Sequence, residues 1–136
     1  MYVGFFDESG TLEAGGYICL AGFVIREQKL QAFNDAWNAA LSKHGAAFLH
    51  TTDLANYKRA FENWTPERRN ALIADLMGVI HGAGRIAAVG AVMSIDDYNT
   101  FSKKDRDRMH GPFFPLFQEV IRGAALEAYF DGPSTQ

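Results

Sequence analysis

A chain of 136 residues with a formal charge of −3, 48% hydrophobic and 13% aromatic residues has the size of one globular domain and enough apolar matter for a core. It is not of the weakly hydrophobic, highly charged kind that stays disordered, and its small negative charge gives no global pull towards nucleic acid or anionic lipid. No stretch reaches the roughly 18 uninterrupted apolar residues of a membrane helix, no basic region precedes the first apolar run, and the single cysteine cannot form an internal disulfide, which favours a reducing, cytoplasmic setting.

Residues 2–7 read as a buried strand, apolar through Phe6 and closed by Asp7-Glu8-Ser9-Gly10, where two acids precede a turn signal. Residues 13–16 form a turn, and 17–26 a second strand antiparallel to the first. That strand is apolar on both faces, which suits a central place in the sheet. It contains Cys19, read as a small buried hydrophobe. Residues 28–44 form a helix whose Leu30, Phe33, Trp37 and Leu41 share one face, with Gly45 as its stop.

Residues 48–50 are short enough for a brief strand, and Thr51-Thr52-Asp53 opens a turn or helix. Residues 56–64 mix aromatics with Lys58 and Arg59 and have no clean period. Thr65-Pro66-Glu67 is a helix start, with a hydroxyl cap and Pro in the first turn. The helix runs to about residue 81, with Leu72, Ile73, Leu76, Met77 and Ile80 inward. Residues 85–95 are the third strand, ended by Asp96-Asp97. Residues 101–111 form a charged loop or frayed helix, and 112–129 a long apolar helix, followed by an Asp131-Gly132-Pro133 turn.

Three places can carry chemistry. A carboxylate closing a buried strand needs a partner, a hydrogen bond or a cation, so Asp7 either caps its turn or holds a divalent ion. If the strand continues, Glu8 points to the opposite face, which favours Asp7 of the pair. His50 and Asp53, three apart, converge if their segment is helical. They then serve as ligands or as an acid–base pair, or else Asp53 merely caps a helix. Imidazole with carboxylates suits Mn²⁺ or Zn²⁺ more than Mg²⁺. Asp96 follows a strand as Asp7 does, and is either a further metal ligand or a helix cap.

Basic residues gather at Lys58-Arg59, at Arg68-Arg69 and between Lys103 and His110. Asp105 and Asp107 interleave the last group and nearly cancel its field. Trp64, Tyr57 and Phe61 can stack bases or cover a core. No phosphate loop, dinucleotide fingerprint, paired zinc cysteines or nucleophile elbow is present.

The run Phe5-Phe6-Asp7-Glu8-Ser9-Gly10, the strand after it, Phe48-Leu49-His50-Thr51-Thr52-Asp53-Leu54 and Phe61-Glu62-Asn63-Trp64 resemble the domain-of-unknown-function family 3800. The resemblance covers residues 2 to about 95. It implies an α/β, ribonuclease H-like mixed sheet flanked by helices, with Asp7 at the edge where that fold places its first metal ligand. The expected whole is a single domain lacking the fold's C-terminal elements, since a helix ending in Asp-Gly-Pro should lead into another strand.

The function expected is phosphodiester hydrolysis of nucleic acid. Asp7, Asp53 and Asp96 would be the Mg²⁺ or Mn²⁺ carboxylates, and His50 a ligand or base. A non-catalytic module of the same fold that binds protein or nucleic acid is the alternative. The Phe-rich last helix, if uncovered, would pair two copies.

Overall fold

A computed structural model of the chain describes residues 1–84 and 86–130, so the Asp131-Gly132-Pro133 turn lies outside the described residues. The described residues of Met1–Arg26 and Ile86–Gln136 make one compact unit, and those of Glu27–Arg85 make a second. The fold is α/β.

The first unit is a sheet with helices. Strands β1 (Tyr2–Gly10), β2 (Tyr17–Arg26) and β3 (Ala87–Ser94) pair antiparallel in the order β1-β2-β3. The two-sided apolar run of β2 does occupy the centre. The sheet expected was mixed; among the described residues every strand pair is antiparallel.

Strand β1 is longer than its sequence suggests. Asp7, Glu8 and Ser9 stay in the ladder opposite Ala21, Leu20 and Cys19. Asp7 is therefore a mid-strand residue, not a strand end. An edge strand with one side open tolerates such polar residues, which read as a turn when taken alone.

Ile18 and Leu20 of β2, Ile95, and Leu116 and Val120 of the last helix form this unit's core, with Phe6, Val89, Ala91 and Met93 packed against it. The last helix, Phe113–Phe130, approaches β3 closely at Gly123. A Cβ there would sit 2.7 Å from Val89 Cγ1, so only glycine fits without movement.

The second unit is helical. Helix α1 (Glu27–Lys43) leads to the short helix α2 (Thr51–Ala55), a 3₁₀ turn at Arg59–Phe61, and helix α3 (Pro66–Gly82). The brief strand expected at residues 48–50 is irregular chain instead. Thr65 caps α3 as its sequence predicts, its hydroxyl accepting from the Arg68 N–H at 3.3 Å. Ala40, Leu41, Leu54, Phe61, Trp64, Leu72 and Leu76 are buried together. Ile73 and Met77, expected inward, are exposed, so the buried stripe of α3 is narrower than its apolar pattern.

In the first unit, two short helices precede the last one: α4 (Ile95–Thr100) and α5 (Lys103–Arg108). The last, Phe113–Phe130, is α6.

Candidate functional site

Helix α2 brings His50 and Asp53 together. His50 holds the N-cap position in extended conformation, and the Leu54 N–H donates to its carbonyl at 2.9 Å. The turn from extended to helical backbone sets residues three apart on one side. His50 Nδ1 thus lies 3.0 Å from Asp53 Oδ2. Asp53 is not the cap of α2 but its third residue, and its side chain is only 9% exposed.

The next segment returns a cation to the same oxygen. Asn56 closes α2 by donating from Nδ2 to the Thr52 carbonyl at 2.8 Å, and the Lys58 N–H donates to the Asp53 carbonyl at 2.9 Å. Between and beyond them, Tyr57 and Arg59 hold φ of 51° and 52°. Non-glycine residues seldom take this left-handed region, because Cβ crowds the backbone. The path carries Arg59 Nη1 to 3.5 Å from Asp53 Oδ2.

A carboxylate this buried is costly without partners. Its two partners differ from it sharply in exposure, at 54% for His50 and 78% for Arg59. Both contacts have ion-pair distances, yet neither has hydrogen-bond geometry, and Oδ2 accepts no hydrogen bond.

The arrangement defines roles. With Nδ1 the ring nitrogen nearest the carboxylate, Nε2 is the imidazole atom left to exchange a proton. The guanidinium nitrogens not turned to Asp53 remain as donors for an anion.

Asp7 and Asp96 belong to the sheet unit. Asp7 is exposed, and its Oδ1 accepts from the Glu8 N–H at 3.0 Å. Since Phe6 packs into the core below α6, strand alternation puts Asp7 on the other sheet face, where Phe5 and Phe23 stack at 5.3 Å. Asp96 Oδ1 accepts from the Gly15 N–H at 3.0 Å and ties the β1–β2 turn to α4. Ser94, not Asp96, caps α4. Among the described residues no three His, Cys, Asp or Glu side chains gather as a metal ion requires.

A second His–Asp pair escaped the sequence. Asp75 Oδ2 lies 2.7 Å from both Lys43 Nζ and His44 Nε2. Hydrogen bonds from Lys43 and then His44 hold its carboxyl below the usual range. The His44 side chain is almost wholly buried, which makes this pair a clasp between α1 and α3 rather than a reactive site.

The aromatic and basic candidates divide similarly. Phe61 and Trp64 are buried edge to face at 5.0 Å, so they build the core and do not offer faces to bases. Arg68 lies over the Trp64 ring at 4.0 Å and Arg69 over Tyr57 at 5.2 Å. Within α5, Lys103 pairs with Asp107 at 2.8 Å, in keeping with a solvated mixed-charge segment. Cys19 is half-buried.

No protein-family model matches the chain, and neither the curated proteins nor the solved structures contain a match to it.

Proposed function

We propose that the protein is a phosphodiester hydrolase acting on nucleic acid, with His50 as its acid–base residue. The observation that carries this reading is the exposed imidazole whose Nδ1 lies 3.0 Å from a buried carboxylate. Asp53, at ion-pair distance, stabilises the ring when it is protonated. His50 Nε2 takes the proton of the attacking nucleophile, and Arg59 faces the charge that develops on phosphorus.

The sheet is of ribonuclease H-like kind in this reading. Its support is an antiparallel sheet in the order β1-β2-β3 with helix α6 packed on it. The resemblance of the Asp-Glu-Ser-Gly and His-x-x-Asp segments to the domain-of-unknown-function family 3800 supports it too. The same resemblance implies a Mg²⁺ or Mn²⁺ ion on Asp7, Asp53 and Asp96. Those carboxylates do not form a three-ligand cluster among the described residues, so no step here passes through an ion.

Cleavage of DNA and RNA oligonucleotides by the full chain tests the proposal. We expect both His50→Gln and Asp53→Asn to lower the rate, the former about 10²–10⁴-fold. Equal rates in the wild type and His50→Gln would sink it. The lack of a three-ligand group among the described residues favours one second reading, a non-catalytic module of the same fold. Oligonucleotide binding without cleavage would select that reading.

A further inference from the structure

Resting on the assignment of His50 as the base, we propose that the substrate is RNA and that the ribose 2′-hydroxyl is the nucleophile. The composition of the cluster leads there. It holds one exposed imidazole, one buried carboxylate 3.0 Å from it, and one exposed guanidinium near the same oxygen, Asp53 Oδ2. Placing and activating a water against phosphorus ordinarily takes an ion or a second acid–base group. The described residues bring no third acid or histidine to this place.

A substrate that carries its own nucleophile removes that need. The 2′-hydroxyl stands next to the phosphorus it attacks, and such intramolecular attack reaches effective concentrations of about 10⁵–10⁸ M. What remains is a base for one proton and a cation for the phosphoryl oxygens. His50 and Arg59 are those two groups, and both are open enough to meet a strand. DNA lacks the hydroxyl, so the same cluster discriminates between the two polymers.

The atoms balance without a co-reactant. His50 Nε2 takes the 2′-hydroxyl proton as the 2′-oxygen bonds to phosphorus. The bond from phosphorus to the 5′-oxygen breaks, and the departing oxygen takes a proton from water. The products are a 2′,3′-cyclic phosphate and a 5′-hydroxyl end.

Arg59 is the group that sequence spacing does not assign. The left-handed backbone at Tyr57 and at Arg59 itself brings its guanidinium to within 3.5 Å of the carboxylate that also meets His50. Strained residues held by their surroundings cluster at sites where a side chain must be aimed. Its remaining donors then match the non-bridging oxygens of a phosphodiester.

The test uses the full chain in chelator with two substrates: a DNA oligonucleotide carrying one ribonucleotide, and its all-DNA equivalent. We expect a cut only after the ribonucleotide and a cyclic phosphate end by mass spectrometry. His50→Gln should lower the rate about 10²–10⁴-fold, and Arg59→Gln about 10²–10³-fold, with Arg59→Lys regaining part of it. Cleavage of the all-DNA strand, or cleavage only with Mn²⁺, would overturn the RNA proposal and leave phosphodiester hydrolysis standing. No cleavage of either strand, or a cut indifferent to His50→Gln, would overturn both.

Discussion

Nε2 of His44 lies 2.7 Å from Oδ2 of Asp75, joining the chain just past the end of α1 to the middle of α3. Lys43 reaches the same oxygen, and Arg68 donates to the His44 carbonyl, so three cationic-type side chains converge where α1 ends. A helix C-terminus welcomes such groups, because its last carbonyls lack partners.

The clasp predicts an acid limb of stability. Lys43 and then His44 hold the Asp75 carboxyl below its ordinary 3.8, so the folded state binds this proton less readily than the unfolded chain. The contribution is therefore full above about pH 4 and is lost as pH falls through the lowered folded value. Urea midpoints measured down an acid series should fall less steeply in Asp75→Asn than in the wild type. The difference should shrink in high salt, because the pair is partly exposed. Parallel acid limbs in the two proteins would contradict it.

The Thr65 cap predicts a simpler loss. Its hydroxyl satisfies the Arg68 N–H, one of the donors that the start of α3 leaves without a helical partner. Thr65→Ala should lower stability by about 1 kcal/mol, whereas Thr65→Ser should retain most of it. Chemical denaturation of the three proteins checks this, and an unchanged midpoint in the alanine variant would refute it.

Packing of α6 on the sheet predicts a non-additive pair. A methyl at Gly123 would meet Val89 Cγ1 at 2.7 Å. Alanine is the better helix former, but a clash in a packed interface outweighs that gain of about 1 kcal/mol. Gly123→Ala should destabilise by about 1–3 kcal/mol, and adding Val89→Ala should recover more than independent sites allow. Additive losses would show that α6 does not rest on Val89.

What could be read from the sequence follows from how local each signal is. The central place of β2 shows in its two-sided apolar run, and α3 announces itself through Thr65-Pro66 and the spacing of Leu72 and Leu76. The extension of β1 does not show, because Asp7, Glu8 and Ser9 are poor strand formers that pairing with β2 overrides. Asp96 reads as a cap, yet its carboxylate serves a turn 81 positions earlier. At the candidate site, the His50–Asp53 spacing is legible, since one helical turn suffices to join them. Arg59 is not, because its approach depends on positive φ at two residues that carry no glycine signal.

Helix α6 carries the last prediction. Leu116 and Val120 are buried, while Phe114, Phe117 and Ile121 are exposed along one stripe at spacings of three and four. The stripe continues through Ala125 and Ala128, so it is bulky at one end and small at the other. Two copies related by a two-fold axis at Ile121 would run antiparallel and set Phe114 against Ala128 and Phe117 against Ala125. A self-complementary patch of this kind is what a two-fold interface demands. We expect light scattering to give twice the mass of one chain, and Ile121→Asp to give a single chain with an unchanged circular dichroism spectrum. A single-chain mass for the wild type at high concentration would remove the pairing and leave the stripe for another partner.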